Sequence, residues 1–235
     1  MNDQVKTIDA RTFIELWKAF AQNLPKAEDL ERRWSDKVWW TENVIGPPKA
    51  SGKLSPLGDH IKKEGGLGET WFYRTEEWKV DLVLAQRGLN WKVPVGWEHR
   101  EDWVEEWKRE FLPVTYGILI EHEDTCGTSW EEMLKLIHLR GKLKVLITYT
   151  TDVHDERSLK ASKDHVWHTR EQFMDMLIQA SDSYPENEKT EYLLIIGQLD
   201  NRSKPAEVKW YYSIYKSTGE ASHHPLVEKH DSETR

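Results

Sequence analysis

The stretch from Tyr116 to Tyr149 constrains the fold more than any other part of this chain. Tyr116 to Glu123 contains Gly117-Ile118-Leu119-Ile120, an apolar run of strand length. Thr128 or Ser129 can then cap a helix that passes through Glu131 and Glu132 to Arg140 and is stopped by Gly141. Leu143 to Tyr149 is a second apolar strand. Strand, helix and strand in this order make a βαβ crossover. Strands that are apolar nearly throughout must be covered on both faces, as in a parallel or mixed sheet flanked by helices. The expected fold is a single α/β domain with a central mixed β-sheet and helices on both faces.

The flanking sequence fits that frame. Phe13, Leu16, Trp17, Phe20 and Leu24 recur at helical spacing over Asp9 to Leu24, where Thr12 and Glu15 give a capping-box pattern. A second helix is expected from about Glu28 to Val44, with Leu30, Trp34, Val38 and Thr41 on one side. Residues 46–68 hold so many glycines and prolines that they read as a loop. Trp71-Phe72-Tyr73 and Val80 to Leu84 read as adjacent strands, Lys92 to Trp97 as a short strand, and Glu98 to Phe111 as an amphipathic helix bearing Trp103 and Trp107. Arg170 to Ser181 is expected as a helix with Phe173, Met174, Leu177 and Ile178 inward, followed by strands over Tyr192 to Leu199 and Val208 to Tyr215. The organisation expected is residues 1–70 as helices and loop packed on the core, 71–216 as the α/β core, and 217–235 as a polar, disordered tail.

Composition narrows the function classes. The chain has 235 residues and a formal net charge of −8, which excludes a globally basic nucleic-acid coat but not a local basic patch. One such patch is Lys49, Lys53, Lys62 and Lys63 in the 46–68 segment, which could track a phosphate backbone or simply solubilise a loop. The longest apolar runs, such as Tyr192 to Ile196, are too short to cross a bilayer, and Met1 to Lys6 carry no signal-peptide pattern. No membrane partner is expected, and a cytoplasmic location is the default. A single cysteine, Cys126, leaves no internal disulfide and no cysteine-based zinc cluster. The 13 tryptophans suit core anchors, stacking platforms or interface hot spots alike.

The chemistry-bearing feature is where acids interrupt apolar strands. Asp81 lies within Val80-Asp81-Leu82-Val83-Leu84, and Glu121 and Glu123 end the strand Ile118 to Glu123. Strand side chains alternate, so Glu121 and Glu123 share one face, roughly 7 Å apart, while Ile118, Ile120 and His122 take the other. If the two strands are neighbours, three carboxylates converge. Crowded, buried carboxylates repel and are best relieved by a divalent cation. Asp81 and Glu121 would offer Mg²⁺ (or Mn²⁺) two oxygen ligands at about 2.0–2.1 Å, with the main-chain carbonyl of His122 and water completing the shell.

An Asp in one strand, then Glu-x-Lys at the end of the next, then a helix and a strand, resembles the PD-(D/E)xK nuclease superfamily, which includes many restriction endonucleases. The resemblance covers Trp71 to about Tyr149. It implies a restriction-endonuclease-like fold, Mg²⁺ dependence and phosphodiester hydrolysis by Asp81, Glu121 and Glu123, with DNA as the expected partner, RNA as the alternative, and a homodimer as a common arrangement. Two features depart from the pattern. Glu123 stands at the lysine position, as in a minority of the superfamily, and Asp81 and Glu121 are 40 residues apart. Lys79, Lys135 or Lys144 are candidates to replace the missing cation, and Glu76 or Glu77 to add a ligand.

Two other functions compete. A catalytically inactive, nuclease-like binding or assembly module suits the absent lysine and the acidic net charge. A carbohydrate-active protein would use tryptophans to stack on sugars and paired acids for hydrolysis.

Overall fold

Leu143–Tyr149 is buried at every position, and Glu191–Asp200 at every position but its first. Strands of this kind belong in the middle of a covered sheet, and that is where they lie. The computed structural model describes residues 7–24, 33–34, 36–46, 55–69, 71–77, 80–87, 114–123, 127–150, 152–181, 190–202, 206–216 and 221–225. Its sheet has seven strands in chain order: β1 (Trp71–Glu77), β2 (Val80–Arg87), β3 (Val114–His122), β4 (Leu143–Tyr149), β5 (Glu191–Asp200), β6 (Glu207–Lys216) and β7 (Ala221–Pro225). β3, β4 and β5 run parallel, and both flanks are antiparallel.

Helices cover both faces, as the sequence predicts. On one side lie α1 (Ala10–Ala21), α2 (Lys37–Trp40) with the π-helical turn Thr41–Ile45 that continues it, and α3 (Pro56–Glu64). Their Phe13, Trp17, Trp40, Leu57 and Ile61 pack with Ile118, Ile120, Val145 and Ile147 of the sheet. On the other side lie α4 (Ser129–His138) and α5 (Glu156–Ser181), whose Met133, Leu136, Ile137, Phe173 and Leu177 pack with Val83, Leu119, Leu146 and Ile196. The two cores make this a mixed-sheet α/β domain.

Several boundaries differ from the sequence expectation, each for a local reason. Asp9, not the Thr12–Glu15 box, caps α1: its carboxylate accepts from the Thr12 N–H at 2.7 Å, and Glu191 accepts from the Ala10 N–H at 2.8 Å. Within the expected 28–44 helix, the described residues that are helical are Arg33, α2 and the π turn that continues it. The inward positions there are Trp40, Val44 and Ile45, and Val38, expected inward, is 66 % exposed. The 46–68 segment is not simply a loop, because α3 forms inside it. Ser55 caps that helix, Pro56 takes its first turn and Gly65 ends it, so the apparent breakers are boundary signals. Gly58 lies inside α3 because a Cβ there would sit 2.9 Å from the Tyr73 ring.

α5 begins 14 residues before the expected Arg170 start. Asp155 and Ser158 cap it reciprocally, at 2.7 and 2.9 Å, and its first turns face inward through Ser162 and Val166 rather than large apolar residues. Ile178, expected inward, is 51 % exposed. The tail is not wholly irregular either: β7 pairs with β6 as the sheet's edge strand through its backbone, which needs no apolar pattern. The strand expected at 92–97, the helix expected at 98–111 and residues 28–32 lie outside the described residues.

Candidate functional site

The seam between the antiparallel and parallel parts of the sheet is β3. Leu82 pairs with Ile120, so Asp81, one position back on β2, falls opposite Glu121, one position on. Both project towards the α4 side, with Val83 and Leu119. The expectation that Asp81 and Glu121 meet across two neighbouring strands is thus met by the register. Asp81 is held in place by the His122 backbone N–H, which donates to its Oδ2 at 2.8 Å.

Glu121 is fully buried. Lys135, reaching down from α4, places its ammonium 3.1 Å from Glu121 Oε1 and also pairs closely with Glu132. Glu121 Oε2 has no hydrogen-bond donor among the described residues. Glu121 and Glu132 therefore share one ammonium, and Asp81 adds a third negative charge beside Glu121. Burial first, and then repulsion from Asp81 and Glu132, pushes the Glu121 carboxyl up to about 9, against the pull of Lys135. Burial opposes the charge on Lys135, but its bonds to Glu132 and Glu121 outweigh that and raise its pKa.

Glu123 stands one residue beyond β3, half-buried. Its N–H donates to the Ile147 carbonyl at 2.9 Å and its Oε1 accepts from the Thr128 hydroxyl at 3.0 Å. The hydroxyl that could have capped α4 thus orients Glu123 instead. The His122 ring takes the opposite face, as alternation predicts. It lies 2.8 Å from the Tyr149 hydroxyl, beside Trp40.

The candidate lysines separate. Lys144 is fully buried one rung from Glu121, opposite Leu119, but its ammonium turns to the Ile137 carbonyl at 3.3 Å and the Tyr192 hydroxyl at 3.2 Å. It fastens the end of α4, and Lys135 is the cation that meets Glu121. Lys62 and Lys63 end α3, whose core residues pack on the other side of the sheet, so they do not join the carboxylates. Lys63 pairs with its neighbour Glu64 at 3.1 Å. Lys49, Lys53, Lys79, Trp103, Trp107 and Cys126 lie outside the described residues, and Glu77 is described only by its backbone at the end of β1.

In the sequence Glu132 reads only as part of the α4 helix, and Lys135 carries no spatial argument there. Their i, i+3 spacing on one helix face was the available signal. Among the described residues, no group of three or more His, Cys, Asp or Glu side chains is arranged to hold an ion. No described helix is long and apolar enough to cross a membrane. No family model matches the chain, and neither a curated protein nor a solved structure matches it.

Proposed function

We propose that the protein is a divalent-metal-dependent nuclease of the PD-(D/E)xK type, hydrolysing phosphodiester bonds of DNA in the cytoplasm. The observation that carries this reading is Glu121: a carboxylate fully buried opposite a second one, Asp81, with an oxygen lacking a donor among the described residues. Burying such a pair costs several kcal/mol unless a cation or a proton compensates. Mg²⁺ usually takes only one or two protein carboxylates, keeping its other positions for water and phosphate oxygens, and Asp81 with Glu121 fits that donor set. An ion held there would acidify a bound water and stabilise charge on the phosphodiester.

The chain's own groups have distinct tasks in this reading. Asp81, fixed by the His122 N–H, and Glu121 are the metal ligands, with the His122 carbonyl as a third oxygen. Glu123, oriented by Thr128, accepts a proton from the attacking water. Lys135 steadies the Glu121 charge from α4 and supplies a cation in place of the lysine missing at Glu123. The antiparallel β2–β3 pair followed by the β3–α4–β4 crossover supports the resemblance, since it is the order of elements the motif requires.

Cleavage of plasmid and single-stranded DNA, with RNA alongside, tests the proposal in Mg²⁺ or Mn²⁺. Wild-type protein should cut and Glu121→Ala should not. Absence of cutting by wild type, or cutting that survives Glu121→Ala, removes the catalytic reading. A second reading, a nuclease-like binding module without catalysis, is favoured by Lys135 lying on Glu121 where an ion would sit. Calorimetric titration separates the two, because the module predicts no Mg²⁺ or Mn²⁺ binding.

A further inference from the structure

On α5, away from the carboxylates, Trp167, Arg170, Glu171, Met174 and Asp175 line a cavity of about 330 Å³. They form one helical stripe at spacings of three and four. Its base is unusual for a surface cavity. Arg170 is only 6 % exposed, its guanidinium lies 5.4 Å from the centre of the Trp167 ring and 5.9 Å from that of Tyr211, and it donates one long bond, 3.4 Å, to the Tyr212 carbonyl. Its Nε has no acceptor, and no carboxylate pairs with it, among the described residues. Buried guanidinium donors are normally satisfied, so an unused one on a residue that lines a cavity marks a place for a ligand acceptor.

The surroundings are held rigidly. The Tyr211 hydroxyl donates to Gln198 at 3.0 Å, Gln198 donates to Ser162 at 2.5 Å, and Ser162 donates to Thr150 at 2.8 Å. This buried chain fixes the aromatic wall beside Arg170 before any ligand arrives. Trp167 is 55 % exposed and offers its ring for stacking.

We propose that this cavity binds a guanine base. The lining sets the class of ligand. Glu171 and Asp175 disfavour a phosphate or other simple anion, because two carboxylates outnumber one guanidinium. A neutral planar group that offers acceptors to Arg170 and donors to the carboxylates uses every side. Guanine does so: its O6 and N7 accept from an arginine fork, and its N1–H and N2–H groups donate to carboxylates. Adenine presents a donor where O6 would be. Stacking on Trp167 supplies sequence-tolerant affinity, and the polar groups supply the choice of base. The site stands independently of whether Asp81 and Glu121 cleave anything.

Calorimetry on the full chain, with chelator present to exclude hydrolysis, tests this with guanosine, inosine and adenosine 5′-monophosphates. Guanosine should bind at least about tenfold more tightly than adenosine, with inosine between, since it lacks the 2-amino donor. Trp167→Ala, at an exposed position that should not disturb folding, should weaken guanosine binding about tenfold. Replacing Glu171 and Asp175 together by alanine should erase the preference over inosine. A single-stranded thymine oligomer with one guanine, compared with all-thymine, decides the source. A tenfold gain assigns the site to a nucleic-acid strand, whereas mononucleotide binding without that gain assigns it to free nucleotide. Equal affinity for guanosine and adenosine, no binding of either, or guanosine binding unchanged in Trp167→Ala overturns the proposal.

Discussion

Glu121 is where a single residue governs both stability and chemistry. Its folded-state pKa stands at about 9 against an ordinary 4.5, so between those values the native protein holds a proton that the unfolded chain has released. Its stabilising effect is complete below about pH 4.5 and is lost as pH rises towards about 9. In metal-free protein the melting temperature should fall across that interval. Glu121→Gln should flatten the profile, so that its stability relative to wild type rises from about pH 4.5 towards pH 8. Parallel profiles for the two proteins would show that the carboxyl is not strained. Mn²⁺ at a hundredfold over its dissociation constant should stabilise wild type by about 2.7 kcal/mol and leave the Gln variant unmoved, as thermal melts can report. Strand alternation made Glu121 and the turned-away His122 legible in the sequence. Lys135 and Glu132 were not, because their relevance depends on α4 lying directly over β3, a tertiary fact.

Among elements, the tryptophans turn out to work mainly as structure where they are described. Trp34, Trp40 and Tyr149 meet at ring separations of 4.4–5.5 Å, and the Trp34 indole donates to the Thr150 carbonyl. Trp40→Ala should therefore cost about 3–5 kcal/mol in denaturant unfolding, a loss that a stacking platform in solvent would not produce. β1 depends on β3 in a different way. Trp71 lies so close over Gly117 that an added Cβ would approach its Cη2 to 2.3 Å. Gly117→Ala should destabilise by about 1–3 kcal/mol, since ring and backbone must move apart. The strands were readable because their apolar runs are long and uninterrupted. Helices were harder wherever packing used small or polar residues, as α5 does at Ser162, or wherever proline and glycine marked a helix edge rather than a loop, as at Pro56 and Gly65. The π turn after Trp40 has no period that a sequence pattern could reveal.

For the molecule as a whole, the two-sided cover was legible from the βαβ unit alone, since β3 and β4 could not have tolerated an open face. The pairing of β7 was not, because edge pairing is satisfied by backbone groups and leaves little trace in side-chain choice. Protection should follow the same gradient. In native-state hydrogen exchange, amides of β4 and β5 should open only with global unfolding, while those of β1 and β7 exchange through local opening. Uniform protection across the sheet would contradict this. The seven strands also lie side by side in the order in which they occur along the chain. During synthesis each new strand can therefore dock onto one already present, without waiting for a later segment to be slotted between two earlier ones. Residues 81 and 121 are neighbours in that growth, so the acidic pair can assemble while the C-terminal third is still being translated.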